Sequence, residues 1–136
     1  MKPKFKIGEK VWIIGICTIE REDCPICKRT GYLMVEYKGI RFKTSCPICA
    51  NGTIQTDKYD FMYEEPRKIL GYAFEKTTEG VEIFYKFSDW TGFSTKEEHI
   101  FRSKQDAINE IKRRNNELLE KEIDIRKKNL MDKLKD

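Results

Sequence analysis

Cys24-Pro25-Ile26-Cys27-Lys28-Arg29-Thr30-Gly31, answered by Cys46-Pro47-Ile48-Cys49-Ala50-Asn51-Gly52 with eighteen residues between Cys27 and Cys46, is the stretch that decides how this chain folds. Two residues between two cysteines turn the backbone so that both sulfurs face one point, at the roughly 2.3 Å of a zinc–thiolate bond. Two such knuckles make a tetrahedron. The proline stiffens each turn, and the glycine after it lets the chain leave without a Cβ clash. Between the knuckles, Tyr32–Glu36 and Ile40–Thr44 are predicted to pair as strands across Tyr37-Lys38-Gly39. The whole reads as a zinc ribbon holding one structural Zn²⁺ through Cys24, Cys27, Cys46 and Cys49.

Other cysteine chemistries fit less well. A thiol redox site places its C-x-x-C at the start of a helix, and neither knuckle leads into a helical pattern. A catalytic zinc keeps an open position and recruits His or carboxylate, whereas all four ligands here are thiolates. The remaining cysteine, Cys17, ends the apolar run Ile14-Gly15-Ile16-Cys17 and is expected to pack in the core as a small hydrophobe. His99, the single histidine, neighbours no nucleophile, and no glycine-rich phosphate loop occurs. An enzyme is not expected.

The rest of the chain frames this centre. Its 136 residues suit one modest core, and 37% charged against 39% apolar residues leaves little material for a large one. No run approaches the roughly 18 uncharged apolar residues of a membrane span, and the opening Met1–Lys6 lacks a signal-peptide core. Cytoplasmic localisation, where thiols stay reduced, is the expectation. Five basic residues, Lys28, Arg29, Lys38, Arg41 and Lys43, against the single acid Glu36 put the chain's whole formal surplus of +4 between Cys24 and Gly52. Four thiolates around Zn²⁺ contribute a net charge of about −2, which brings that segment nearer to about +2.

Phe5–Ile14 reads as a first strand. Gly71–Phe74 and Val81–Phe87 read as a hairpin whose Gly80 supplies a positive φ. Ser103-Lys104-Gln105-Asp106 resembles a capping box and opens a helix predicted to run to the end of the chain. Its apolar positions Leu118, Leu119, Ile123, Leu130 and Leu134 follow an irregular heptad interrupted at Asn115, which favours a single amphipathic helix but leaves a homodimer through it open. The pairs Glu110/Arg114, Glu117/Lys121, Glu122/Arg126 and Asp124/Lys128 contribute only about 0.2–0.5 kcal/mol each, so this helix is not expected to be the main source of fold stability.

The segments Lys6-Ile7-Gly8-Glu9-Lys10-Val11-Trp12 and Glu98-His99-Ile100-Phe101-Arg102-Ser103-Lys104-Gln105-Asp106-Ala107, with the hairpin between them, resemble small SH3-like (KOW/Tudor-type) barrel proteins of bacteriophages and mobile elements. Some of these carry a C-x-x-C…C-x-x-C ribbon after the first strand. The glycine-flanked knuckles are also similar to the cysteine-rich modules of J-domain co-chaperones, though with two knuckles instead of four. The resemblance implies an α+β fold. Residues 1–20 and 53–102 would form a discontinuous SH3-like barrel, residues 21–52 the ribbon inserted in it, and residues 103–136 a C-terminal helix.

Fold does not settle function. One expectation is nucleic-acid binding by the ribbon hairpin, with Lys28, Arg29, Lys38, Arg41 and Lys43 meeting phosphates while Tyr32, Tyr37 and Phe42 offer faces for stacking. The alternative is a phage-encoded adaptor or inhibitor that presents the barrel, ribbon or helix to a host protein, and a purely structural oligomer comes third. The bland reading of the same residues has Lys28 and Arg29 offsetting thiolate charge and the aromatics packed beneath the hairpin.

Overall fold

Alternating apolar residues build a series of strands before one long amphipathic helix. The structure, a computed structural model, describes residues 2–49, 51–87 and 94–134. Residues 88–93 of the expected barrel and 135–136 of the expected helix segment lie outside the described residues. The elements are β1 Lys10–Asp23, β2 Tyr32–Tyr37, β3 Ile40–Ser45, β4 Thr53–Phe61, β5 Arg67–Lys68, β6 Gly71–Thr77, β7 Gly80–Lys86, β8 Ser94–Lys96, a 3-10 turn Glu97–His99, β9 Ile100–Phe101 and α1 Lys104–Leu134. The fold is α+β. Among the described residues the strands form sheets of four, two and three members, none closed on itself as a barrel.

Two compact units emerge, one of Met1–Cys17 with Tyr59–Arg113 and one of Thr18–Lys58 with Arg114–Asp136. β1, β4 and α1 each contribute residues to both. In unit 1, β1 pairs antiparallel with β5 (Val11 opposite Arg67) and with β9 (Ile13 opposite Ile100), while β6, β7 and β8 form an antiparallel meander. Inward positions of these strands converge on Phe5, Val11, Ile13, Ile69, Ile83, Tyr85, Phe87 and Ile100. Tyr85 satisfies its buried hydroxyl fully: it accepts from the backbone N–H of Lys4 and of Phe5 and donates to Glu97. Half-buried His99 tilts against Tyr59 with ring centroids 6.4 Å apart.

Cys17 corrects an expectation. It is exposed, as are Ile16, Thr18 and Ile19, because the core-facing part of β1 ends at Ile14 and the strand then runs on to Asp23. The thiol points to the backbone carbonyls of Gly15, Asp60 and Phe61 at 3.4–3.7 Å. Burial, together with the nearby Asp60 carboxylate, pushes its pKa up, so Cys17 stays protonated.

In unit 2 the later part of β1 lies beside β4, held by Arg21 donating to Thr53 and by Lys58 between Glu20 and Glu22. The capping reading of α1 stands on geometry: Ser103 Oγ accepts from the N–H of Asp106 at 3.3 Å. The second half of α1 does contribute side chains to a core. Ile123 is 7% exposed in the unit 2 core, flanked by half-buried Leu119 and Leu130. Charge pairs such as Glu117–Lys121 decorate the outer face, but the stabilising term is apolar burial.

Candidate metal centre

The two knuckles hold each other. Cys24 N–H donates to the carbonyl of Gly52, and Cys46 N–H donates to the carbonyl of Gly31, so the glycine ending each knuckle anchors the first cysteine of the other. This reciprocity requires backbones in near contact. A Cβ on Gly52, at φ +90, would lie 2.2 Å from the Arg29 carbonyl oxygen, which leaves glycine as the only residue that fits. Lys28 and Arg29 also take left-handed φ values of 53 and 73, and Thr30 secures the turn by donating its hydroxyl to the Cys27 carbonyl at 2.7 Å.

All four Sγ atoms lie within 4.8 Å of one another, with Cys24, Cys27 and Cys46 buried and Cys49 half-buried. A tetrahedron with ~2.3 Å zinc–sulfur bonds has edges of about 3.8 Å. Cys27 and Cys49, 3.5 Å apart and both free thiols, are near that edge. The donor set and spacing therefore fit a closed four-thiolate metal site.

Electrostatics within the cluster point the same way. Burial raises the Cys27 pKa, but the Gly31 N–H donated to its sulfur at 3.3 Å and the surrounding thiols outweigh it and bring the value down to about 7. Cys49 is pushed up to about 12, first by burial and then by the neighbouring Cys27 and Cys46 sulfurs. Ionising one thiol makes the next harder to ionise. A divalent cation removes that conflict, which is what such a site supplies chemically: cross-linking of two turns.

The hairpin between the knuckles forms in the expected register, with Met34 opposite Lys43, Val35 opposite Phe42, Glu36 opposite Arg41 and Tyr37 opposite Ile40. Strand periodicity then sorts the candidate contact residues onto two faces. Tyr32, Met34, Glu36, Arg41 and Lys43 share one. Leu33, Val35, Tyr37, Ile40 and Phe42 share the other. Arg41 and Lys43 are thereby separated from Tyr37 and Phe42, and Tyr32 shares their face, opposite Ser45 and two positions from Lys43. The aromatics do not pack beneath the hairpin: Tyr32, Tyr37 and Phe42 are 57%, 63% and 46% exposed. Lys38 occupies the turn at φ 50 with its ammonium 5.4 Å from the Tyr37 ring centroid. Lys28 and Arg29 are exposed in the first knuckle, and Arg29 lies 3.5 Å from Asp23.

Sequence reasoning missed the apolar wall of the site. Leu33, Ile48, Ile54, Leu119, Ile123 and Leu130 surround the cysteines. The strict alternation of Thr53-Ile54-Gln55-Thr56-Asp57, with Ile54 and Thr56 buried, was a legible strand signal for part of it. Nothing local announced Arg126, whose guanidinium donates to the Ile48 carbonyl from 78 residues away. No helix is long and apolar enough to cross a membrane among the described residues. No protein family, curated protein or solved structure matches the chain.

Proposed function

We propose that the chain is a non-enzymatic adaptor in which one structural Zn²⁺ braces a hairpin for docking into a protein partner. One observation carries this reading: the uncharged hairpin face of Val35, Tyr37, Ile40 and Phe42, whose last three side chains are 63%, 67% and 46% exposed. Contiguous apolar and aromatic surface on a small protein marks an interaction site. Arg41 and Lys43 on the opposite face, with Lys38 at the tip, suit a partner whose apolar cleft has an acidic rim. The resemblance to phage-encoded proteins makes a host protein in a reducing cytoplasm the natural partner.

The SH3-like reading of unit 1 belongs to the same proposal. It is supported by the β1–β9 pairing, the β6-β7-β8 meander and the 3-10 turn before β9.

Nucleic-acid binding is the second reading, favoured by Tyr32 sharing one hairpin face with Arg41 and Lys43. A stacking platform needs aromatic faces next to the bases that meet phosphates, and the register places Tyr37 and Phe42 on the other side. Three chains separate the readings: native, Tyr37→Ser/Ile40→Ser/Phe42→Ser, and Arg41→Glu/Lys43→Glu. We expect the apolar triple variant to lose a partner identified by capture from host cells and confirmed with purified protein, and the charge reversal to weaken it. Zinc content should stay stoichiometric, because exposed substitutions shift stability within about 0.5 kcal/mol. Binding of labelled single-stranded DNA that survives the triple variant, and whose log–log salt slope falls by about 0.7–0.9 per basic residue reversed, would favour nucleic acid instead.

A further inference from the structure

The two knuckles share the sequence Cys-Pro-Ile-Cys, yet their isoleucines have different surroundings: Ile26 is 37% exposed and Ile48 is 4% exposed. Since the knuckles are alike, the difference comes from what covers them. Ile48 belongs to a buried cluster with Cys24, Cys27, Cys46, Ile54 and Ile123, and Leu119 and Leu130 pack against it. Those three leucine and isoleucine side chains recur along α1 at intervals of four and seven, which places them on one helix face. The second half of α1 forms a lid over Ile48 of the second knuckle, whereas Ile26 of the first knuckle stays exposed.

A directed polar contact accompanies the apolar one. Arg126 Nη1 donates to the carbonyl of Ile48 at 2.7 Å, while its Nε donates to Glu122 at 2.9 Å. Ile48 stands between the ligands Cys46 and Cys49, so this hydrogen bond holds the peptide whose conformation aims both sulfurs. Glu122, one helical turn before Arg126, fixes the plane of the guanidinium and nearly cancels its charge. The pair therefore acts by geometry more than by long-range attraction to a negatively charged thiolate centre.

We propose that Arg126, oriented by Glu122, and Ile123 are positioning residues for the metal: they clamp the second knuckle, so that docking of α1 and retention of zinc are coupled. Without the lid, Ile48 would be exposed as Ile26 is, and the Cys46–Cys49 turn would be free to open and release its ligands. The coupling is reciprocal, since anything that stabilises the closed knuckle stabilises the docked helix by the same free energy. This rests on the reading of the four cysteines as a zinc site and goes beyond it by making a distant part of the chain responsible for how long the metal stays.

The test is transfer of zinc from the reduced, full-length protein to excess 4-(2-pyridylazo)resorcinol, followed by absorbance. Loss of an outer-shell partner typically weakens metal binding by about 10- to 100-fold, and Arg126→Gln and Ile123→Ala are expected to accelerate release in that range. Lys121→Gln, which removes an outward pair with Glu117, should leave the rate within about twofold of native. Arg126→Lys keeps the charge but not the planar fork, and should recover less than half of the lost retention on a logarithmic scale. Full recovery by lysine would overturn the geometric role. Amide exchange gives a second readout that keeps the idea testable should Arg126→Gln fold poorly: in the native chain, removing zinc should accelerate exchange at 119–130. Unchanged exchange there, or native release rates in both Arg126→Gln and Ile123→Ala, would overturn the clamp while leaving the zinc centre intact. A native chain lacking stoichiometric zinc would instead overturn the reading of the centre and the clamp together.

Discussion

Unit 1 and unit 2 solve the same problem, holding a small amount of chain in one conformation, with different materials. Unit 1 buries eight apolar side chains, five on the strands β1, β7 and β9 and three on the segments beside strands, and three of the eight are aromatic: Phe5, Tyr85 and Phe87. Phe5 and Tyr85 meet edge to face at 5.5 Å, and half-buried Tyr72 meets Tyr85 at the same distance. Unit 2 buries Cys24, Cys27 and Cys46 with only three aliphatic residues, Ile48, Ile54 and Ile123. At about 1.5–3 kcal/mol each, three isoleucines fall well below the roughly 10–16 kcal/mol that a structural zinc contributes in small metal-dependent domains. If the four cysteines hold zinc as proposed, unit 1 is held by packing and unit 2 by its ligands together with the apolar side chains around them.

The largest effect that follows is the separate loss of unit 2. Removing zinc with a strong chelator under reducing conditions, or replacing Cys46 with Ser, should collapse amide protection in β2, β3 and residues 119–130 while β6 and β7 keep theirs. Hydrogen exchange resolved by segment checks it. Simultaneous loss in both units would show that the comparison is false and that the chain unfolds as one body. No loss in either would show that the thiols need no metal.

The converse perturbation targets packing. Tyr85→Ala should destabilise unit 1 by about 3–5 kcal/mol, since it removes a fully buried ring at the centre of the aromatic group. Tyr85→Phe keeps the ring but strands the Lys4 and Phe5 N–H groups and Glu97, at a cost of about 1–3 kcal/mol. Zinc stoichiometry should be native in both variants. Segment-resolved exchange with metal analysis reads the two units separately, and loss of zinc from Tyr85→Ala would mean that unit 2 depends on unit 1 for more than chain connection.

The same contrast explains what could be read from residues alone. Ligand-held structure is legible because its chemistry is local: the knuckles, the β2–β3 pairing and its Lys38-Gly39 turn all followed from a spacing and a glycine. The β6–β7 hairpin and the Ser103 cap were legible for the same reason, each being decided within a few positions. Packing across long separations was not. Arg126 and Ile48 lie 78 residues apart, and nothing near either one encodes their hydrogen bond. Cys17 misled because an apolar run continues past Ile14 after the strand has left the core. Periodicity along the second hairpin strand alone sets Arg41 and Lys43 on the face opposite Phe42, and the strand pairing adds that Tyr37 lies with Phe42 and Tyr32 with the basic pair.

The smallest effect concerns acid. Glu9 accepts the Lys6 N–H at 2.9 Å and the Arg102 guanidinium at 2.5 Å, and Arg102 also stacks 4.7 Å from the Phe5 ring centroid. The backbone N–H first, and Arg102 second, hold the Glu9 carboxyl below the usual glutamate range. A carboxyl whose folded pKa is depressed stabilises the fold above its unfolded pKa of about 4.3, and that contribution is lost as pH falls through the lower folded value. Glu9→Gln should therefore destabilise unit 1 by at most about 1 kcal/mol at pH 7, given the partial exposure of the pair, and the gap should close as the pH falls through the lowered folded pKa and native Glu9 itself becomes neutral. Thermal unfolding followed at the Trp12 indole resonance measures both points. Unit 2 should already have lost order at the lower pH, because protons compete with the metal for four thiolates at once. A gap that stays the same size down to the acid end of the titration would mean that Glu9 matters through packing, and unit 1 surviving no further into acid than unit 2 would remove the distinction between a packed core and a ligated one.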